Sequence, residues 1–135
     1  MRYDILKKVK SVLVADATIH TYVADDIRVR DLPLPKIPKQ ITIRKTFGTS
    51  NSIIPACDCT VYITVWVKQK EVTEPYKMTT QITERINDLF NRKGESLNES
   101  DLIVNQMKRT DAEISYTDDQ EYWTSTIILE CVTND

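Results

Sequence analysis

Ile5, Val9, Val12 and Leu13 fall at the i, i+4, i+7 and i+8 positions of a helix, with Leu6 beside them and Lys7, Lys8 and Lys10 opposite. Residues 2–15 therefore read as an amphipathic helix. Asp16-Ala17-Thr18 offers a stop or an N-cap, with a further short turn over 17–23. Ile27-Arg28-Val29-Arg30 alternates apolar and charged residues, as a short strand with one wet face does. Pro33, Pro35 and Pro38 exclude helix and central strand over 33–39, leaving an extended connector.

Ile41, Ile43 and Phe47 alternate with Thr42, Arg44 and Thr46, which predicts a half-buried strand running to Gly48. A polar loop over 48–55 follows, carrying Thr49, Ser50, Asn51 and Ser52 and ending near Pro55. Residues 56–68 are the strongest strand. Cys57, Cys59, Val61, Ile63, Val65 and Val67 share one face; Tyr62, Thr64 and Trp66 share the other, so a central position is expected. Trp66 is expected as a buried anchor against the helices. Pro75 at a first helical position, Thr73 or Glu74 as cap, and the stripe Met78, Ile82, Ile86, Leu89, Phe90 predict a second long helix over 75–91, with Gly94 just past its end. A terminal hairpin closes the chain. Its first arm spans 103–117, broken at Lys108–Asp111, its turn is Asp118-Asp119-Gln120, and its second arm spans 122–132. The order predicts a single α+β domain over 1–135: a mostly antiparallel (mixed) sheet with two main helices packed on one face.

Composition narrows the function. The 135 residues contain 41% hydrophobic and 28% charged residues, a globular balance in which about two-thirds of the unfolded surface is buried. No apolar run spans a bilayer and the N-terminus has no signal-peptide core, so a soluble, unsecreted protein is expected. With only Gly48 and Gly94, no phosphate-cradling GxGxxG or GxxxxGK[ST] loop can be written. Residues 1–50 hold ten Lys/Arg against five Asp, and residues 51–135 hold eight Lys/Arg against fifteen Asp/Glu. The plainer expectation is that folding interleaves the halves and dissolves this split; otherwise it suits different partners at two ends, or head-to-tail copies. Sequence-specific nucleic-acid binding is disfavoured by scattered basic residues and a net charge of −2.

Candidate chemistry is sparse. Cys57 and Cys59 share a strand face and Cys131 lies on another strand; with His20, read as lying in a polar loop, they make a permissible zinc set. Their spacing is wrong for a knuckle, and small core thiols in a reducing compartment are the preferred reading. A Cys–His nucleophile pair would have to use the same lone His20. Asp111, Glu113, Asp118 and Asp119 are the acidic residues a metal-dependent enzyme or nuclease would use. No Lys follows Glu113 at the second position, and Asp118-Asp119 sits where a turn favours Asp. The expectation is therefore no enzyme, no catalytic residue, no cofactor and no metal. Partner contact is expected from the 33–39 connector, from Thr49, Ser50, Asn51 and Ser52, and from Asp118, Asp119 and Trp123.

The run Tyr116-Thr117-Asp118-Asp119-Gln120-Glu121-Tyr122-Trp123-Thr124-Ser125-Thr126-Ile127-Ile128-Leu129 places an acidic turn before Trp-Thr-Ser and an apolar final strand. Together with the opening helix, the proline segment and a long strand passing directly into a helix, it resembles the tail-terminator (tail-completion, head–tail joining) family of long-tailed bacteriophages, the group that includes the lambda tail terminator. The resemblance implies a structural virion protein at the head-proximal end of the tail, assembled in the host cytoplasm. It would form a homo-hexameric ring that caps the tail tube, stops its polymerisation and offers the surface that joins a head-completion or connector protein. Its partners would be copies of itself, the tube protein and that connector, with no membrane. Other small phage connectors, such as a head-completion stopper or a baseplate adaptor, share this size and make-up.

Overall fold

A computed structural model describes residues 5–51, 56–90, 103–110, 114–117 and 121–134, of which 46–51, 56–59, 103–110, 114–115 and 130–134 are described by their backbone alone. The elements run α1 (Ile5–Ala15), α2 (Ala17–Val23), β1 (Ile27–Val29), β2 (Lys39–Asn51), β3 (Ala56–Lys68), α3 (Pro75–Phe90), β4 (Ile103–Thr110), β5 (Ile114–Thr117) and β6 (Tyr122–Asn134). The six strands form one sheet in the order β1-β2-β3-β6-β4, with β5 also paired to β6. Only β1 and β2 run parallel. The α+β class, the mixed sheet and the central place of 56–68 are as the alternation predicts.

Strand periodicity fixes the two faces. Ile41 and Ile43 of β2, Val61, Ile63, Val65 and Val67 of β3, and Ile127 and Leu129 of β6 are fully buried on one face. Against them pack Ile5, Leu6, Val9 and Leu13 of α1, Ile19 and Val23 of α2, and Ile82, Ile86 and Phe90 of α3. Burying a large aliphatic side chain contributes about 1.5–3 kcal/mol, so this single layer of contacts holds the helices down. The stripe on α3 is rotated from the expected one. Thr79 and Thr83 are buried beside Ile82, Ile86 and Phe90, while Met78 and Leu89 are only partly covered. Both threonines satisfy their hydroxyls on the carbonyls of Pro75 and Thr79, at 2.8 and 2.7 Å, which lets a polar residue occupy the core side of a helix.

Asp16 sits between α1 and α2 and caps the latter. Its backbone is extended (φ −81°, ψ 120°) and its carboxylate accepts from Ile19 N at 3.0 Å, as an N-cap requires. The same carboxylate receives Arg85 of α3 through Nε at 3.0 Å and Nη2 at 2.6 Å. Those hydrogen bonds hold the Asp16 carboxyl below its ordinary pKa. One side chain thus both starts α2 and ties it to α3.

Three expectations are corrected. Trp66 lies on the face away from the helices, half-buried, donating Nε1 to Thr42 Oγ1 at 2.9 Å and meeting Tyr122 edge-on at 5.6 Å. A strand apolar on both faces does not reveal which face the helices choose. The polar stretch 48–51 belongs to β2. Ser50 and Asn51 stand opposite Cys57 and Ala56, and a bulge between Phe47 and Ser50 absorbs one extra residue. Pairing with β3 overrides the local turn propensity of Gly, Thr, Ser and Asn. Finally, among the described residues the two chain halves do not interleave. α1, α2, β1 and β2 occupy one side of the domain and β3, α3, β6, β4 and β5 the other, meeting along the β2–β3 hairpin and the α2–α3 contact. No helix among the described residues is long and apolar enough to cross a membrane.

Candidate functional site

The segment between β1 and β2 folds back instead of reaching outward. Gln40, 1% exposed, accepts from Leu34 N at 2.8 Å and donates Nε2 to Leu34 O at 2.9 Å and Ile37 O at 3.1 Å. Tyr122 Oη adds a 3.4 Å bond to Leu34 O, and Lys68 N donates to Pro38 O at 2.8 Å. Burial, with Glu71 nearby, raises the Tyr122 phenol above its ordinary pKa, which keeps it protonated and a donor. The expected extended connector instead turns over Leu34–Ile37, closed by Ile37 N–H donating to Leu34 O at 3.2 Å with Pro35 at the second position, and these bonds lay it over the wet face of the sheet. The expectation that 33–39 projects toward a partner is corrected in that respect, since three backbone carbonyls are tied down.

A cleft of about 450 Å³ opens between this segment and the sheet, lined by Arg30, Leu32, Pro33, Pro35, Lys68 and Tyr122. Its walls are apolar and its charged groups are cations. Leu32 is 58% exposed and the neighbouring Val29, on the edge strand β1, is 50% exposed. Arg30 donates its backbone N–H to Ile43 O at 3.1 Å. Such a concave surface with a few cations suits a partly apolar, electron-rich partner group.

One residue along β6 from Tyr122, and so on the other face of the sheet, stands an aromatic patch. Trp123 opens β6 and is half-buried; Tyr76 of α3 meets its ring edge-on at 5.3 Å, and Tyr116 of β5 lies tilted against it, also at 5.3 Å. Tyr116 and Trp123 are cross-strand partners, whereas Tyr76 arrives because Pro75 starts α3 beside that strand end. Trp123 Nε1 donates to Gln69 Oε1. Around the patch Lys70 pairs with Glu121 at 2.9 Å, which raises the lysine's pKa, and Lys77 pairs with Glu74 at 3.6 Å. Tyr76 and Tyr116 are exposed, and aromatic side chains on a surface are favoured contact anchors.

Of the residues expected to contact partners, Trp123 is in this patch. Thr49, Ser50 and Asn51 lie in β2 at the other end of the sheet, so structure does not bring them to Trp123. Ser52, Asp118 and Asp119 lie outside the described residues, as do Asp111 and Glu113 of the acidic set. Cys59 and Cys131 are register partners on β3 and β6, with Cys57 opposite Thr133. His20 lies on helix α2 rather than in a loop, exposed and 3.8 Å from Asp25. Among the described residues no group of three His, Cys, Asp or Glu is placed to hold a metal ion. Sequence reasoning missed Tyr76, Gln69, Arg30, Leu32 and Gln40. The available signals were a tyrosine off the apolar stripe of α3 and a glutamine just before the alternating run of β2.

No protein-family model and no curated protein sequence matches the chain. Its fold is similar to that of a solved chain from the virion of a native gene transfer agent particle. The two share 12% sequence identity and a TM-score of 0.75 over 94% of this chain and 92% of that one. The agreement covers most of both chains, and it defines a shared fold.

Proposed function

We propose that this chain is a structural virion protein of a long-tailed phage or phage-like particle, and that it caps the tail tube as a tail terminator. The observation that carries the reading is the near-complete fold agreement with a chain of a gene transfer agent virion. The step from virion protein to tail end rests on the resemblance in the last twenty residues, from the acidic turn to the closing strand.

The mechanism is occupancy. A ring of copies binds the growing end of the tube and presents on its far face no site for another tube subunit, leaving that face for the head connector. Such a role needs no covalent step. It needs rigid subunits with more than one contact surface, and the cleft and the aromatic patch, on opposite faces of one end of the sheet, supply two.

The test is a deletion of this gene in its parent phage, followed by electron microscopy of the lysate. Overlong tubes without heads, restored to normal length by the gene in trans, are expected. Tails of normal length joined to heads would overturn the assignment, and tails of normal length beside unjoined heads would move the chain to head completion.

A further inference from the structure

The three cysteines meet at one end of the sheet. Cys57 and Cys59 are on β3 and Cys131 is on β6, and these strands pair antiparallel without a register shift from Ala56↔Asn134 to Lys68↔Tyr122. Cys59 stands directly opposite Cys131, whereas Cys57 stands opposite Thr133. Residues directly opposite share a face of the sheet. The hydrogen bonding of the ladder fixes how far apart they are. Gln69 N–H donates to Glu121 O at 2.9 Å, one step past the Lys68↔Tyr122 pair, and hydrogen-bonded pairs recur at every second residue. Counting back by twos reaches Cys59 and Cys131. Their Cα atoms are therefore about 5.5 Å apart, inside the span of about 4.4–6.8 Å that a disulfide bridges. The other pairings fall outside it. Cys57 is diagonal to Cys131, at about 7–8 Å. Cys57 and Cys59 occupy one face of a single extended strand, and at about 6.8 Å along it their Cβ atoms cannot approach as a bridge requires.

We propose that Cys59 and Cys131 form a reversible disulfide between β3 and β6, with a small disulfide such as oxidised glutathione as the oxidant, while Cys57 remains a thiol. One of the two cysteines, as its thiolate, attacks the glutathione disulfide; that S–S bond breaks and one glutathione thiolate leaves. The second cysteine then attacks the mixed disulfide, the Cys59–Cys131 bond forms, and the second glutathione leaves. Two cysteine thiols are oxidised, one glutathione disulfide is reduced to two thiols, and the two cysteine protons pass through solvent to the departing thiolates. A hydrogen-bonded pair holds its Cβ atoms at about 5.5 Å, wider than the roughly 3.5–4.5 Å of a relaxed bridge, so closing the bond draws the strands together. A bridge made against that pull is the reducible kind. It stays open in a glutathione-reduced cytoplasm and closes in an oxidising medium. In this respect the inference rests on the virion reading, since a virion protein is made inside a cell and serves outside it. The bridge ties the central strand to β6 and closes a covalent loop through α3, β4 and β5, which restricts the unfolded chain and favours the folded one.

The experiment uses the purified full chain, fully reduced and then equilibrated in glutathione mixtures from all reduced to all oxidised. Free thiols are trapped with iodoacetamide, and the products are read by intact mass and by peptide mapping without reductant. Three alkylated cysteines are expected in reduced glutathione. In oxidised glutathione the expected product is a single chain with Cys57 alkylated and the Cys59 and Cys131 peptides linked. It should melt above the reduced chain, and returning it to reduced glutathione should restore three thiols. Cys57→Ser should still form the bridge, and Cys131→Ser should not.

Three alkylated cysteines under oxidation, a bridge that includes Cys57, glutathione adducts or links between chains alone, a bridge that survives reduced glutathione, or a bridged chain that melts no higher would each overturn the proposal. Tube capping plays no part in this readout. If the gene deletion removed the virion reading, the bridge would remain as chemistry of the purified chain; if the bridge failed to form, the capping assignment would still be judged by its own test.

Discussion

Replacing Gln40 with alanine should loosen the connector while leaving the helix-side core intact. The side chain is 1% exposed and makes three hydrogen bonds, to Leu34 N, Leu34 O and Ile37 O, at 2.8, 2.9 and 3.1 Å. A buried bond of this kind contributes about 1 kcal/mol net, so three lost together with a small cavity give about 2–4 kcal/mol. With a urea dependence of about 2 kcal/mol per molar, the unfolding midpoint should fall by about 1–2 M. The damage is local first. Leu34 N–H has Gln40 as its partner, so its exchange with solvent should quicken before that of Ile63 or Val65 in the central strand. Gln40→Glu sharpens the case, because a carboxylate still accepts from Leu34 N but cannot donate to the two carbonyls. Burial raises such a carboxyl above its ordinary pKa of about 4.3. A group with a raised folded pKa favours the folded state at low pH and loses that contribution as pH rises through the folded value. The deficit of Gln40→Glu relative to wild type should therefore be small in acid and grow toward neutrality. Urea titrations of the two variants at several pH values, with amide exchange read residue by residue, measure all of this. A Gln40→Ala protein within about 0.5 kcal/mol of wild type, with Leu34 exchange unchanged, would refute the reasoning.

Asp16→Ala removes a helix cap and should cost about 1 kcal/mol from capping alone, with a further loss from its bonds to Arg85; thermal melts should rank it below Asp16→Asn, which still caps. Because the folded Asp16 carboxyl lies below its ordinary pKa, its contribution is present above the unfolded pKa and is lost as pH falls through the folded one. Wild type and Asp16→Asn should thus converge in acid, and a gap that widens there would contradict the assignment. Trp66→Phe strands the Thr42 hydroxyl, 3% exposed, and should cost about 1–2 kcal/mol. Thr42→Val should cost less, since the half-buried Trp66 N–H can turn to water, and the double variant should be milder than the sum of the two in a urea double-mutant cycle.

The Gln40 and Trp66 cases show where sequence reading stops. Both lie on a face that alternation alone marks as the wet side of the sheet, yet Gln40 is buried and bonded to the returning connector, and Thr42 is buried and bonded to Trp66. The reason is long-range: Leu34 reaches Tyr122, 88 residues away, and no local pattern encodes that meeting. The same holds for the aromatic patch. Trp123 stood out as a strand-end tryptophan, but Tyr76 joins it only because β6 runs beside the start of α3. Thr49, Ser50 and Asn51 read locally as loop, and only their pairing opposite β3 makes them strand.

By itself the sequence determined what depends on neighbours three or four residues apart. Apolar spacing set α1 and α3, alternation set β3 and β6, three prolines kept helix out of the connector, and Asp16 set the start of α2. Each of these expresses a backbone period or a single capping bond, which a short window contains in full. Tertiary structure alone decided which face of β3 meets the helices, and that the chain carries an Arg-bearing cleft and an aromatic patch on opposite faces of one end of the sheet. Those outcomes follow from which strands pair and where the helices cross. They are fixed by burying one continuous apolar face against three helices, a condition on the whole chain that no segment carries alone.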